Sequence, residues 1–329
     1  MPPSVGLVLG SSMPPEQLRS AAAGAEASGL DEVWLSEDYF FTGGIAGAAG
    51  ALAATSSLRV GLGVVSAMTR HPALLAMEIA TLERQFPGRL RPGIGLGVPG
   101  WLRQMEAMPA SPIAALEESI TTVRRLLGGE TVTTTDGVFP CHDISLSYPL
   151  QRVPPLTMGV SGPKMLELSG RVADASVLSV CAGEAYIRWA RERIDAGRRH
   201  ADRTDDHRVT VFALCSIDAD GQRARDAVRP YLAFYRAAGG PNALTDVYGI
   251  SDELRAMLDE GGADHLERVM PGEWVEDLTI AGTPEECAAK IKAFHAAGAN
   301  SVALFPTPPA DGQRIMELIG HRVVPDLRG

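Results

Sequence analysis

A parallel (β/α)8 TIM barrel with insertions is the fold this sequence predicts, on three observations. Short β-branched runs alternate with longer amphipathic stretches, the pattern of parallel strands joined by crossover helices. Eight such runs recur along the 329 residues. Polar and glycine-rich residues follow several of them, at the strand ends where enzymes built on βα repeats place their chemistry. A doubly wound open sheet shares the alternation and stands as the alternative, since pattern does not prove closure.

The first strand is expected over Val5–Leu9, followed by a helix over Pro15–Ser28 with Ala and Leu on its buried side. Glu32–Leu35 reads as the second strand and the Ala-rich Ile45–Thr55 as a short helix. Leu58–Val65 and the apolar helix after His71 form the third pair, Arg89–Leu96 and Ile113–Leu127 the fourth. Thr131–Thr135 and Val138–Ile144 suggest a small hairpin turning on Asp136-Gly137, a favoured turn dipeptide. After Pro154-Pro155 come strand Leu156–Val160, helix Lys164–Val172, strand Ala175–Val180 and the Arg-rich helix Glu184–His200. Val209–Ile217 is the seventh strand and Ser301–Phe305 the eighth, separated by a helical, turn-punctuated stretch from Ala219 to Ala297. One domain over 1–329 is expected, with a hairpin insertion near 130–147 and a helical one near 219–280.

Composition sets outer limits. The chain is 45% hydrophobic and 21% charged, enough apolar content for a sizeable core. A net charge of −10 without clustered basic residues argues against nucleic acid, whose affinity comes mainly from Lys and Arg on phosphates. Cys141, Cys181, Cys215 and Cys287 make no CxxC pair and read as reduced thiols of a cytoplasmic protein. The histidines make no HxxxH or HExxH spacing, so no metal site is expected. Ala-rich segments such as Gly43 to Thr55 are too short and interrupted to span a bilayer.

Four segments carry candidate chemistry. Gly61-Leu62-Gly63-Val64-Val65-Ser66 puts glycines at alternate positions of the third strand, which clears one face for something flat. Ser66 and Arg70 follow at its end. Ser36-Glu37-Asp38-Tyr39 ends the second strand with two adjacent acids suited to proton transfer. Gly95-Leu96-Gly97-Val98-Pro99-Gly100 fits GxGxxG in letters, but it follows the fourth strand, and Pro99 removes a donor from the loop that would cradle phosphate. Gly159-Val160-Ser161-Gly162-Pro163-Lys164 is the better anion site. There a helix opens on Pro, with free N–H groups, the Ser161 hydroxyl and Lys164 near its start.

Together these segments resemble the bacterial luciferase-like flavin and deazaflavin oxidoreductase superfamily, and most closely its methylenetetrahydromethanopterin reductase-like branch. The resemblance rests on four features in order. They are Gly63-Val64 through Thr69-Arg70-His71-Pro72, Gly162-Pro163-Lys164-Met165-Leu166, Ile280 to Glu286, and Ala297-Gly298-Ala299. It implies a (β/α)8 barrel, usually a homodimer, with cofactor across the C-terminal mouth. It also implies a cis peptide at Gly63–Val64 backing a ring system, a cofactor phosphate held at Ser161-Gly162 near Lys164, and an active-site acid at Glu37 or Asp38. Tyr39, Ser66, Arg70, Gly97 and Gly159 join this cofactor-binding set. Asp38 departs from the branch, where many members carry histidine, and Val98 stands where some carry an acid. The implied activity is hydride transfer between reduced coenzyme F420 and a small electrophilic substrate (C=C, C=N or methylene). An FMN-dependent monooxygenase and a non-catalytic ligand-binding barrel are the alternatives.

Overall fold

The computed structural model describes residues 4–328, and its eight main strands close into a parallel barrel. They are Ser4–Leu9, Glu32–Leu35, a third in two pieces (Arg59–Leu62 and Val65–Ser66), a fourth in two pieces (Leu90–Arg91 and Gly93–Gly95), Thr157–Gly159, Ala175–Leu178, Arg208–Ile217 and Ser301–Pro306. Each pairs in parallel with the next, and the eighth pairs with the first. Closure decides between the barrel and the open sheet that the alternation left undecided.

Strand alternation separates two cores. Leu7, Leu9, Val33, Leu35, Val211, Val302 and Leu304 point outward and join one apolar cluster with the surrounding helices. Their neighbours Val8, Trp34, Phe212 and Ala303 point inward and join a second cluster, shared with the helical insertion. With both faces buried, the strands read as continuous apolar runs rather than alternating ones. Near the base of the interior, Glu32 is 2% exposed, accepts from Ser301 Oγ at 2.5 Å and from Trp34 Nε1 at 2.9 Å, and lies 3.6 Å from Arg59 Nε.

The alternate glycines of the third strand serve this interior. A Cβ at Gly61 would fall 2.3 Å from the Trp34 indole, and one at Gly63 2.6 Å from the Phe212 ring. The flat groups lying on that strand are therefore the protein's own aromatic rings, stacked edge-to-face at 5.7 Å. Sequence alone left open whether the cleared face served packing or a ligand. Along Gly61 and Gly63 it is packing.

Several elements differ from expectation for local reasons. The third strand breaks at Gly63–Val64, a cis peptide as the resemblance implied; Tyr39–Phe40 and Thr307–Pro308 are also cis. The fourth strand breaks at Pro92, which has no N–H for the ladder. The hairpin pairs Val132–Thr134 with Cys141–Ile144 around a six-residue loop, not a tight turn at Asp136-Gly137. That loop is held by Glu118, whose carboxylate accepts the Val138 and Phe139 N–H groups, each at 2.8 Å. The stretch between strands seven and eight contains an unexpected strand, Ile280–Gly282, paired with Cys215–Ile217. Its main helices are Gly221–Gly239, Ser251–Val269 with a kink at Gly261-Gly262, and Pro284–Ala296. Among the described residues no helix is long and apolar enough to cross a membrane, and no cluster of His, Cys, Asp and Glu is arranged to hold a metal. All four cysteines are free and buried.

A buried histidine ties strands six and seven to the helical shell. His207 Nε2 lies 2.9 Å from Ser176 Oγ, which lies 2.8 Å from Ser169 Oγ. Burial, reinforced by the charges of Arg191, Arg203 and Arg198, pushes the imidazole down to about 3. Between its ordinary 6.5 and about 3 the unfolded chain binds a proton there that the native chain does not, so stability falls as pH drops through that window. His207→Gln is expected to remove on the order of 2–3 kcal/mol of the stability difference between pH 7 and pH 4. Urea midpoints of both proteins at the two pH values measure it, and an unchanged difference rules out His207 as the source.

Candidate active site

The C-terminal ends of strands two to seven surround an open pocket of about 540 Å³. Its floor follows from one side chain. Val64, turned inward at the break in strand three, fills space that neighbouring strands leave empty. A Cβ on Gly95 would lie 2.5 Å from Val64 Cγ2, and one on Gly159 2.9 Å from both Val64 methyls. The floor is thus one isopropyl group set in bare glycine backbone, an apolar surface with peptide groups exposed at its edges. Gly97, at φ +94°, continues it; a Cβ there would come within 2.9 Å of Ser66 Oγ and would be strained by its backbone conformation.

The loop after strand two forms one wall and is fastened from below. Arg70 grips Glu37 bidentately, Nη1 to Oε1 at 2.6 Å and Nη2 to Oε2 at 2.8 Å, and Glu37 Oε2 also accepts Gly44 N–H at 2.7 Å at the start of helix Gly44–Ala53. Burial opposes the Arg70 charge, but the Glu37 hydrogen bonds, with the charges of Glu37 and Glu78, hold its pKa above the ordinary value. Thr69 meets Tyr39 OH at 3.1 Å. His71 caps helix Pro72–Gln85 by accepting Ala73 N–H, and its other nitrogen lies 3.3 Å from the Pro140 carbonyl of the hairpin loop. Thr69-Arg70-His71 therefore works as a clasp, each residue securing a different neighbour.

Asp38 and Tyr39 project from this clasped loop into the pocket. Asp38 Oδ2 accepts from Ser11 Oγ at 2.5 Å, its one side-chain hydrogen bond among the described residues, which leaves Oδ1 available. Tyr39 stacks obliquely with Trp101, centroids 6.0 Å apart, and both line the pocket. Trp101 belongs to a short helix, Pro99–Gln104, where the sequence predicts only a loop. The GxGxxG-like run is thus a barrel loop entering that helix.

Of the candidate residues, Glu37, Asp38, Tyr39, Gly63, Val64, Gly97, Gly159 and Ser161 line one pocket, whereas Ser66, Arg70, Gly162 and Lys164 do not. Ser66 is 2% exposed; its hydroxyl donates to the Leu96 carbonyl at 2.7 Å and accepts Met68 N–H at 3.1 Å, tying the loops after strands three and four. Gly162 is the N-cap of helix Pro163–Val172, with Lys164 exposed in its first turn. That helix start has no side-chain cap, which leaves the N–H groups after Pro163 without a side-chain acceptor. Tyr186 OH donates to the Ser161 carbonyl at 2.6 Å and fixes the turn.

Sequence reasoning missed Met165, Val177, Leu178, Ser179 and Phe212, which also line the pocket. Val177 and Phe212 were recoverable as inward positions of strands six and seven. It also missed Tyr235, brought to the mouth by helix Gly221–Gly239 and packed edge-on against Phe305 at 6.4 Å. Burial, with the charges of Asp38 and Cys181, pushes the Tyr235 phenol up to about 12, so it stays protonated as a hydrogen-bond donor.

The luciferase-like monooxygenase family model matches residues 2–301 of the chain. The chain is 28% identical over 307 residues to a 5,10-methylenetetrahydromethanopterin reductase of Methanolobus tindarius, covering 91% of this chain and 93% of that one. It is 29% identical over 336 residues to an F420-dependent glucose-6-phosphate dehydrogenase of Nakamurella multipartita, covering 95% and 93%. The coenzyme F420 dependent tetrahydromethanopterin reductase structure from Methanopyrus kandleri superposes with a TM-score of 0.83 at 24% identity, covering 99% of this chain and all of that one.

The clasp carries its own test. Glu37 is 5% exposed in its side chain and Arg70 23%, so Glu37→Gln leaves a largely buried guanidinium without its carboxylate. A loss of about 2 kcal/mol is expected, below the full value for a buried pair because Arg70 keeps some solvent and Glu78 at 3.6 Å. Denaturant midpoints measure it; a midpoint like the parent's shows that the loop is held some other way.

Proposed function

The chain belongs to the luciferase-like monooxygenase family, and within it we propose hydride transfer between reduced coenzyme F420 and a small electrophilic substrate. The carrying observation is a glycine-backed floor at Val64 facing an acid, Asp38, that keeps one oxygen free. A planar tricycle would suit that floor, which offers an apolar isopropyl surface bordered by the backbone of Gly95 and Gly159. The uncapped start of helix Pro163–Val172, with Ser161 and Lys164, suits a phosphate on its tail. The residues present therefore fit the group, and the F420-named relatives support the same choice.

When bound, a 5-deazaflavin supplies a two-electron hydride carrier that reacts poorly with oxygen. The protein's own work is positioning and proton management. Val64, with Gly95 and Gly159 beside it, would support the ring. Tyr39 and Trp101 wall the space above it and displace water. Asp38 Oδ1 gives or takes the proton that accompanies the hydride, while Ser11 holds Oδ2 and so fixes the carboxylate's direction. Glu37 shares the acid pair in sequence but is committed to Arg70 and Gly44, so it serves as the anchor. A homodimer fits the exposed Leu74 and Met77 on helix Pro72–Gln85, at 55% and 50% exposure. Four free thiols suit a reducing, cytoplasmic setting.

Titration of the purified protein with oxidised F420 and separately with FMN, followed by fluorescence, is the deciding experiment. Micromolar or tighter F420 binding with much weaker FMN binding is expected. The reverse preference moves the chain to flavin and oxygen chemistry, and binding of neither withdraws the cofactor. Asp38→Asn is expected to lower kcat by about 10²-fold or more and flatten its pH profile. Full turnover with an unchanged profile removes Asp38 from the proton-transfer role.

A further inference from the structure

We propose that the substrate half of this pocket is built for an uncharged, largely apolar molecule and excludes anions. The inference rests on the hydride-transfer reading only in treating the occupant as substrate.

The lining has a one-sided chemistry. Beyond its glycines the pocket wall is made chiefly of Tyr39, Val98, Trp101, Met165, Val177 and Phe212, with the carboxylates Glu37 and Asp38 and no Lys, Arg or His. Glu37 is neutralised by Arg70, whereas Asp38 has only the Ser11 hydroxyl against it, so the pocket carries an uncompensated negative charge. A phosphate or carboxylate entering there meets repulsion and no partner. The anion-friendly edge, Ser161 to Lys164, follows strand five, three strands round the barrel from Asp38. From the insertion, Arg236 is 4% exposed and turned toward Cys181, with Nε and Nη1 unpartnered, and it lies outside the pocket lining.

The rim repeats this chemistry. Phe40, Phe41 and Phe234 stand 69%, 63% and 61% exposed, and Val98 44%. Phe40 leans on Tyr39, a lining residue, at 6.0 Å and so continues that aromatic wall outward, and Phe234 packs edge-on to Tyr235 at 5.5 Å. Large apolar side chains held in water around a cleft mark it for an apolar occupant. Ser179, in the same lining, offers such a molecule one hydroxyl donor, suited to a carbonyl or imine.

Equilibrium dialysis of the full chain against 2-acetylnaphthalene, 2-naphthoate and glucose 6-phosphate tests this directly, because the first two differ mainly in charge. The ketone is expected to bind at least tenfold more tightly than the naphthoate, and the sugar phosphate more weakly than the ketone. Phe234→Arg, at an exposed position that folding tolerates, is expected to narrow the ketone-to-naphthoate ratio several-fold. Equal or tighter binding of either anion overturns the proposal, as does failure of the ketone to bind saturably. F420 binding, measured in parallel, separates the two ideas. Ketone preference without F420 binding removes the cofactor reading and leaves anion exclusion standing; F420 binding with anion preference does the opposite.

Discussion

The mouth of this barrel depends on where one isopropyl group goes. Val64 turns inward at the break in strand three, and its methyls occupy the positions that side chains on Gly95 and Gly159 would fill. Strands three, four and five approach closely only because two of the three have no side chain there. The same exchange recurs lower in the barrel, where Gly61 makes room for Trp34 and Gly6 for Glu32. Interior close packing leaves little tolerance for an added methyl at such points. Barrel closure and the pocket floor are thus consequences of one steric arrangement.

Above that floor the wall that carries Asp38 is a matter of electrostatics. Two adjacent acids leave strand two, and the environment gives them different work. Glu37 is drawn down into a bidentate ion pair and a helix N-terminus, where its charge is fully used. Asp38, one residue on, points the other way into the pocket, with a single hydroxyl partner. Arg70 thereby acts on the site from outside it, by fixing the loop that carries Asp38 and Tyr39. The aromatic side chains of Tyr39, Trp101 and Phe212 line the space around the remaining charge and lower the local polarity.

Much of this was legible in the chain. Eight strand-like runs with intervening helical patterns define the βα repeat, because period-2 and period-3.6 burial leave distinct marks. Helix Glu184–His200 and strand Glu32–Leu35 are placed to the residue. The site was legible as segments, since strand C-terminal ends collect the functional loops of a barrel. The roles within those segments were less so. Ser66 and Arg70 lie in the right motif, yet they bond to Leu96, Met68 and Glu37 rather than facing the pocket. Which way a side chain turns at an irregular strand end is set by partners thirty or more residues away.

Sequence by itself determined the repeating architecture, the glycine positions that make it possible, and the placing of an acidic segment after strand two and a basic one after strand three. These are local properties, written in periodicity, in glycine's lack of a side chain and in charge. Tertiary structure alone decided which acid is anchored and which faces the pocket, and that Trp34 and Phe212 fill the cleared face of strand three. It also brought Tyr235 from the insertion to the rim. Each of these depends on contacts between segments far apart in the chain, which barrel closure brings within a few ångströms and no local pattern encodes.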